Sequence, residues 1–154
     1  MVMVRNRCSE HVHGDHSLAG MGASENKRLL GEAEERLSRG DGQGWFDLLA
    51  EDVRWTVTGG TAWSRTYEGR AAVRTELIDP LRAQYAEPYR RTPVQLVAED
   101  DVVVARCRGH VTTKAGERYD NDYCFVYRFR DGLIREIIEY GDTALIDRVL
   151  APPN

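Results

Sequence analysis

Leu29, Leu30, Ala33 and Leu37 recur at the three-to-four-residue spacing of an amphipathic helix. With Ser24 as N-cap and Gly40 as terminator, the pattern predicts a first helix over 25–39. Asp41 then caps a second, short helix over about 43–50 whose apolar face carries Trp45, Phe46, Leu48 and Leu49. Val53, Trp55 and Val57 alternate with Arg54, Thr56 and Thr58, the period of a strand with two different faces, and Gly59-Gly60 breaks it. Residues 61–68 read as a loop or short strand. A third helix over about 69–83 turns Val73, Leu77, Ile78 and Leu81 inward, with Pro80 bending or shortening it. From there the chain is strand: 91–99, 101–113, 117–130 and 133–140, joined by turns at 99–101, at 114–116 and at Asp131-Gly132. A last helix over about 143–150 follows Asp142.

The order α-α-β-α-β-β-β-β-α, with hairpin-joined strands, predicts an antiparallel sheet with helices on one face, an α+β domain. A long twisted sheet curls over its helices and leaves a concave, mostly apolar cavity between the layers, the expected site for a small hydrophobic molecule. Residues 24–150 form this single domain. Residues 1–23, rich in His, Gly and Ser and without period, read as a disordered or extended tail, with Met21 as an alternative start, and 151–154 as a C-terminal tail.

Charge and composition narrow the function classes. The 154 residues carry a formal net charge of −4, whereas nucleic-acid binding usually comes with a basic surplus. There is no run of about 20 apolar residues to span a membrane, and the N-terminus has no apolar signal-peptide core. The cysteines are Cys8, Cys107 and Cys124, an odd and sparse set that argues against a disulfide framework and fits a reducing cytoplasm. Cys107 and Cys124 fall in strand patterns and read as small buried hydrophobes. The string His11-Val12-His13-Gly14-Asp15-His16 matches the zinc-binding H-x-H-x-D-H pattern, but it lies in the tail with only His110 elsewhere. A catalytic zinc needs three fixed ligands with second-shell support, so no metal is assigned. Phosphate-binding glycine loops, a nucleophile elbow and a Cys/His pairing are absent too, so if the protein is an enzyme it is expected to work by acid–base chemistry without a cofactor.

Candidate site residues cluster late in the chain. On the strand 117–130 the odd positions Asn121, Tyr123, Phe125, Tyr127 and Phe129 share one face, bulkier and more aromatic than the other, and this face is expected to look into the cavity. On the last strand Arg135, Ile137 and Glu139 share a face. A carboxylate at position 139, walled by aromatics, would have its pKa raised by desolvation and would suit a general acid or base; alternatively it pairs with Arg106, Arg108 or Arg135. Asp142 reads first as the N-cap of the last helix and second as an acid pointing inward. Arg106, Arg108 and His110 alternate on one strand, either as a solvated face or as a cationic strip for an enolate or carboxylate. Trp45, Trp55, Trp63 and Tyr67 are core or pocket wall.

The strings NDYCFVYRFRDGLI and EIIEYGDTALIDRVL, set in this order of elements, resemble the nuclear transport factor 2-like superfamily, most closely its SnoaL-like and ketosteroid-isomerase-related branch. The resemblance covers about residues 25–150, and its most specific part is Phe129 to Gly132 followed by Glu139-Tyr140 and Asp142. It implies a cone-shaped α+β barrel, a curved sheet wrapped on N-terminal helices, often dimeric through the outer sheet. The branch holds isomerases, polyketide cyclases, epoxide hydrolases and non-catalytic binders, and fold does not choose among them. Matched by position, the three working residues of ketosteroid isomerase fall on Ala33, Val57 and Phe125, which removes that mechanism. Of the Asp-Arg-Asp set of limonene-epoxide-hydrolase-like enzymes, Arg106 and Glu139 occupy two positions and Arg108 the third, so that set is incomplete. SnoaL-like cyclases use an acid on or just after the last strand, a role open to Glu139 or Asp142. By this resemblance Glu139 is the base of a cofactor-free isomerase or cyclase, with Tyr123, Asn121 and Arg108 holding the enolate. Trp45, Trp55, Trp63, Tyr67, Arg106, His110, Phe125 and Ile137 then line the pocket. A binding module, a homodimeric interaction domain with a vestigial pocket and an epoxide-hydrolase-like enzyme are the alternatives.

Overall fold

A computed structural model describes residues 22–153. The expectations for Cys8 and for the histidine string at 11–16 lie outside these residues. The first helix, α1 (Ala23–Ser38), buries Leu30, Ala33, Glu34 and Leu37, the predicted stripe with a carboxylate in it. It begins after Gly22, whose backbone carbonyl takes the first helical bonds, and not after Ser24. Helix α2 (Gln43–Asp47) is shorter than the apolar pattern predicts, because Leu49 already pairs with Ile134 in the sheet and β1 spans Leu49–Val57. β2 (Thr66–Glu68) is a short edge strand.

The third helical stretch runs through α3 (Arg70–Ala72), a π-helical turn (Val73–Ile78) and α4 (Asp79–Gln84). Pro80 neither ends nor shortens it. A proline lacks the N–H for the carbonyl four residues back and its ring crowds that carbonyl, and the backbone widens into the π-turn just ahead of it. The remaining strands are β3 (Arg90–Glu99), β4 (Val102–His110), β5 (Asp122–Arg130) and β6 (Leu133–Tyr140), and α5 (Thr143–Val149) closes the fold. The β4–β5 connection is longer than the strand pattern suggests. Residues 111–121 leave the regular ladder, held by isolated bridges Thr112–Arg118 and Tyr85–Thr113. The β5–β6 hairpin turns at Asp131 (φ 54°) and Gly132 (φ 74°), the paired positive φ values that an Asp-Gly turn supplies.

The six strands form one curved, unclosed sheet in the order β2-β1-β6-β5-β4-β3. It is mixed, since β1 runs parallel to β6 while all other pairs are antiparallel. The inner face of β5 carries the buried Tyr123, Phe125, Tyr127 and Phe129, the odd set chosen from the sequence. Cross-strand register extends this face into rows: Ala105–Phe125–Glu139–Val57, and Val103–Tyr127–Ile137–Trp55. A bulge opposite Arg128-Phe129 lets both Ile134 and Ile137 point inward, which strict alternation forbids. Ala151, expected in a C-terminal tail, is tied down instead: its N–H donates to Gln84 Oε1 (2.8 Å) and its carbonyl accepts from Trp63 Nε1 (3.2 Å).

Between α1 and the sheet lies a buried ion pair. Arg91 donates through Nε to Glu34 Oε2 (2.9 Å) and through Nη2 to Glu34 Oε1 (2.5 Å), and Nη2 also reaches the Tyr127 hydroxyl (3.2 Å). Removing one partner of such a pair leaves an uncompensated charge in the core, a loss of roughly 3–5 kcal/mol, whereas replacing both with apolar groups is often near neutral. Urea unfolding should therefore show Arg91→Met losing about that much stability and the double variant Glu34→Leu/Arg91→Met recovering most of it. An unchanged midpoint in the single variant would contradict this reading of the pair.

Candidate functional site

The concave side of the sheet and the helical stretch 70–84 enclose a cavity of about 430 Å³. Its far wall is aromatic: Trp45 from α2, Trp55 from β1, and Tyr123 and Phe125 from β5. Leu77, Ile78 and Leu81 close it from the helical side, and Tyr85 and Tyr89 from the segment leading into β3. The rings brace one another. Trp45 and Trp55 lie 5.3 Å apart, and Tyr123 and Phe125 stack at 5.2 Å, as side chains two residues apart on one strand can. Burial here leaves space at the centre, so the cavity is not filled by its own aromatic residues.

Glu139 is the acid of this cavity. It stands at the end of β6 between Phe125 on β5 and Val57 on β1. Its Oε2 accepts one hydrogen bond, from the Trp55 indole N–H at 2.8 Å. None of the three arginines considered as partners reaches it: Arg108 pairs with Asp122 (3.2 Å), Arg135 with Asp52, and Arg106 is exposed. Desolvation by the apolar walls raises its pKa from the ordinary 4.5 to about 7, against the opposing pull of the Trp55 hydrogen bond and the more distant charge of Arg91. A carboxyl that titrates near neutrality can both take and return a proton at physiological pH.

A tyrosine cluster adjoins it. The Tyr119 and Tyr123 hydroxyls are 2.8 Å apart, and Asn121 Nδ2 donates to Tyr119 at 3.1 Å. The orientation of the Asn121 amide is set from its other end, where Oδ1 accepts the Asp142 N–H at 2.9 Å. Burial pushes the Tyr123 and Tyr85 phenols well up from their usual value, and the Tyr119 phenol to about 12, so all three remain protonated donors. Gly109 makes the cluster possible: a Cβ there would lie 2.3 Å from the Tyr89 hydroxyl and 3.0 Å from the Tyr123 ring.

The other predicted residues divide clearly. Trp45, Trp55, Tyr123, Phe125 and Glu139 come together around the cavity. Asn121 sits just behind, buried. Trp63, Tyr67 and Ile137 are buried in the core rather than in the cavity wall, Trp63 bonding to Ala151 and the Tyr67 hydroxyl donating to the Trp63 carbonyl (3.0 Å). Asp142 is exposed and is the N-cap of α5, accepting the Leu145 N–H at 3.1 Å. Arg106, Arg108 and His110 belong to the outer face of β4, because the inner positions of that strand are Val103, Ala105, Cys107 and Gly109. The expected cationic strip is thus the solvated alternative, and Arg108 is not at the acid. Cys107 and Cys124 are free thiols, the first buried. Arg74, Arg82, Tyr85, Tyr89 and Arg91 line the cavity without having been singled out by sequence pattern. Glu34, which holds Arg91, was legible as a carboxylate inside the apolar stripe of α1.

Among the described residues no cluster of His, Cys, Asp and Glu is arranged to hold a metal, and no helix is long and apolar enough to cross a membrane. Residues 32–137 match the SnoaL-like domain family. Among solved structures, the fold is similar to an NTF2-like protein of unknown function from Burkholderia pseudomallei (26% identity, TM-score 0.71, covering 82% of this chain and 98% of that one). It is also similar to a protein named a SnoaL-like polyketide cyclase from Jannaschia sp. CCS1 (14% identity, TM-score 0.68, 92% and 100% covered). A third likeness is to a protein named an isomerase from Bacillus subtilis (18% identity, TM-score 0.66, 82% and 92% covered). No curated protein matches.

The raised pKa of Glu139 has a stability consequence with a definite sign. The folded state holds this proton more tightly than the unfolded chain, so the contribution is full below pH 4.5 and is lost as pH rises toward about 7. Glu139→Gln keeps an acceptor for Trp55 and removes the ionisation. At pH 8 the variant should be more stable than the parent by roughly 1–3 kcal/mol, with the gap narrowing at pH 5. Denaturant midpoints at the two pH values measure this, and a parent that gains on the variant as pH rises would reverse the assignment.

Proposed function

Because the chain belongs to the SnoaL-like family of the nuclear transport factor 2-like superfamily, we propose that its cavity binds a hydrophobic carbonyl compound and isomerises or cyclises it by cofactor-free proton transfer through Glu139. One observation carries this reading: a carboxylate with no arginine partner among the described residues, titrating at about 7, in the wall of an open aromatic cavity. The neighbours named as polyketide cyclase and isomerase are consistent with such a family of small-molecule proteins.

In this reading the Glu139 carboxylate removes the proton on the carbon next to the substrate carbonyl, and electron density moves onto the carbonyl oxygen. Tyr123 donates to that oxygen as it becomes an enolate. Asn121 donates to Tyr119, and the arrangement that uses every donor has Tyr119 donating to Tyr123, whose own O–H can turn from Tyr89 to the substrate. Asn121 is therefore a positioning residue. With Arg108 on the outer face, this phenol pair takes the enolate role alone. The protonated Glu139 then returns the proton at another carbon or, once the enolate carbon has closed the ring onto a second carbonyl, to the alkoxide formed there.

The chain is also proposed to form a homodimer through the outer sheet. Register aligns Val97, Val104, Val126 and Ile138 into an apolar row across four strands, with Val97 53% and the nearby Tyr140 50% exposed. Such a continuous outward-facing apolar row is what an interface covers.

Proton exchange tests the chemistry without the natural substrate. In D₂O, the protein should catalyse deuterium incorporation next to the carbonyl of 2-tetralone, read by NMR, and Glu139→Gln should lower that rate by about a thousandfold. Since the ionised form is the base, the rate should climb with pH through about 7 and then level off. A Glu139→Gln variant with full exchange activity sinks the assignment. For the dimer, light scattering should give twice the chain mass for the parent and a single chain mass for Val126→Asp; a monomeric parent refutes it.

A further inference from the structure

The helical stretch 70–84 presents Arg74, Ile78 and Arg82 to the cavity at intervals of four residues, so two guanidinium groups flank an apolar centre on one wall. The other charged groups around the cavity already have partners, opposite charges for Arg91 and Glu87 and a neutral donor for Glu139. Arg91 is closed by Glu34. Glu87 accepts the Thr112 N–H at 3.0 Å and faces Arg118 at 3.9 Å. Glu139 accepts from Trp55. Arg74 and Arg82, by contrast, make no ion pair with any described carboxylate.

Their settings prepare them for an anion. The Arg74 guanidinium carbon lies 3.9 Å over the Phe46 ring, which covers one face of the group and leaves its in-plane N–H donors unspent. Stacked this way, the planar fork is held for a bidentate acceptor. Arg82 Nη2 lies beside the α1–α2 connection, 3.4 Å from where a Cβ on Gly42 would stand, which places its head at the rim. Arg74 is half-buried and Arg82 exposed at the rim, so both add positive potential at this end of the cavity, which favours an anionic ligand and repels a cationic one.

We propose that the ligand is an amphipathic organic carboxylate, its apolar body among the cavity's aromatic and leucine side chains and its carboxylate on the Arg74 fork, with Arg82 adding positive charge at the rim. The inference rests on the cavity being the ligand site as read above, and it adds the ligand's charge and orientation. The anionic end is bound on the helical wall, and the reacting end lies toward Glu139 on the sheet.

Matched probes test it. Isothermal titration at pH 6 and low salt would compare 4-phenylbutyrate with its neutral amide, 4-phenylbutanamide. The acid should bind at least tenfold more tightly, and added salt should shrink that preference. In Arg74→Gln/Arg82→Gln the acid should weaken about tenfold and the amide should be unchanged, which also shows the cavity intact. Equal binding of acid and amide, a preference that survives in the double variant, or no binding of the acid would each overturn the proposal. The same titration on Glu139→Gln separates it from the catalytic reading. A kept acid preference with kept exchange activity removes the base alone. A missing preference with lost exchange removes the carboxylate proposal alone.

Discussion

The closed ion pair between Glu34 and Arg91 sets the terms for everything above it. It joins α1 to β3 through the core, and its guanidinium lies under the Trp45 and Phe125 rings at 5.0 and 4.4 Å. Because Glu34 takes both faces of the Arg91 fork that matter for hydrogen bonding, Arg91 is spoken for before it can serve Glu139. Its charge reaches Glu139 only as the smallest of three influences, behind desolvation and the Trp55 hydrogen bond. A carboxyl beside an unclosed arginine would be driven toward the ordinary range or below. The neutrality of the pair therefore lets a cavity acid titrate near pH 7.

Curvature and register then decide who meets whom. Glu139 and Phe125 face each other because β5 and β6 pair in that register, and Trp55 reaches the carboxylate because β1 joins β6 in parallel two residues out of step with it. Further along the same sheet, on β4, the missing side chain of Gly109 leaves room for Tyr89 and Tyr123. The tyrosines stack in turn, Tyr85 against Tyr89 at 5.9 Å and against Tyr119 at 6.4 Å. The same layer that makes the cavity rigid also supplies its phenol donors.

Much of this was readable from pattern, and the misreadings have specific causes. The inward set on β5 followed from alternation and bulk, since one face offered aromatic rings and the other Asp122, Arg128 and Arg130. Glu139 followed from its place on the neighbouring strand. Arg106, Arg108 and His110 were ambiguous because alternation says that they share a face without saying which face is concave. Leu48 and Leu49 fitted a helix stripe as well as a strand start, and the parallel partner Ile134, 85 residues away, settled it. Trp63 and Tyr67 had the right chemistry for a pocket wall but were drawn into the core by each other and by Ala151. Pro80 read as bending or shortening the helix because a local rule cannot see a π-turn absorbing the lost hydrogen bond.

Local sequence determined the elements, their amphipathic faces, the Asp131-Gly132 hairpin and the presence of an acid among aromatics near the last strand. These depend on spacing along the chain, on turn residues and on side-chain volume, and none needs a distant partner. Tertiary structure decided which face of β4 is outside, that Glu139 pairs with none of the described arginines, and that Arg91 is neutralised by Glu34 57 residues earlier. It also decided that Arg74 and Arg82 look into the cavity. Those outcomes turn on the direction of sheet curvature, on strand register and on competition for counterions. Each is a property of residues brought together in space, which spacing along the chain does not encode.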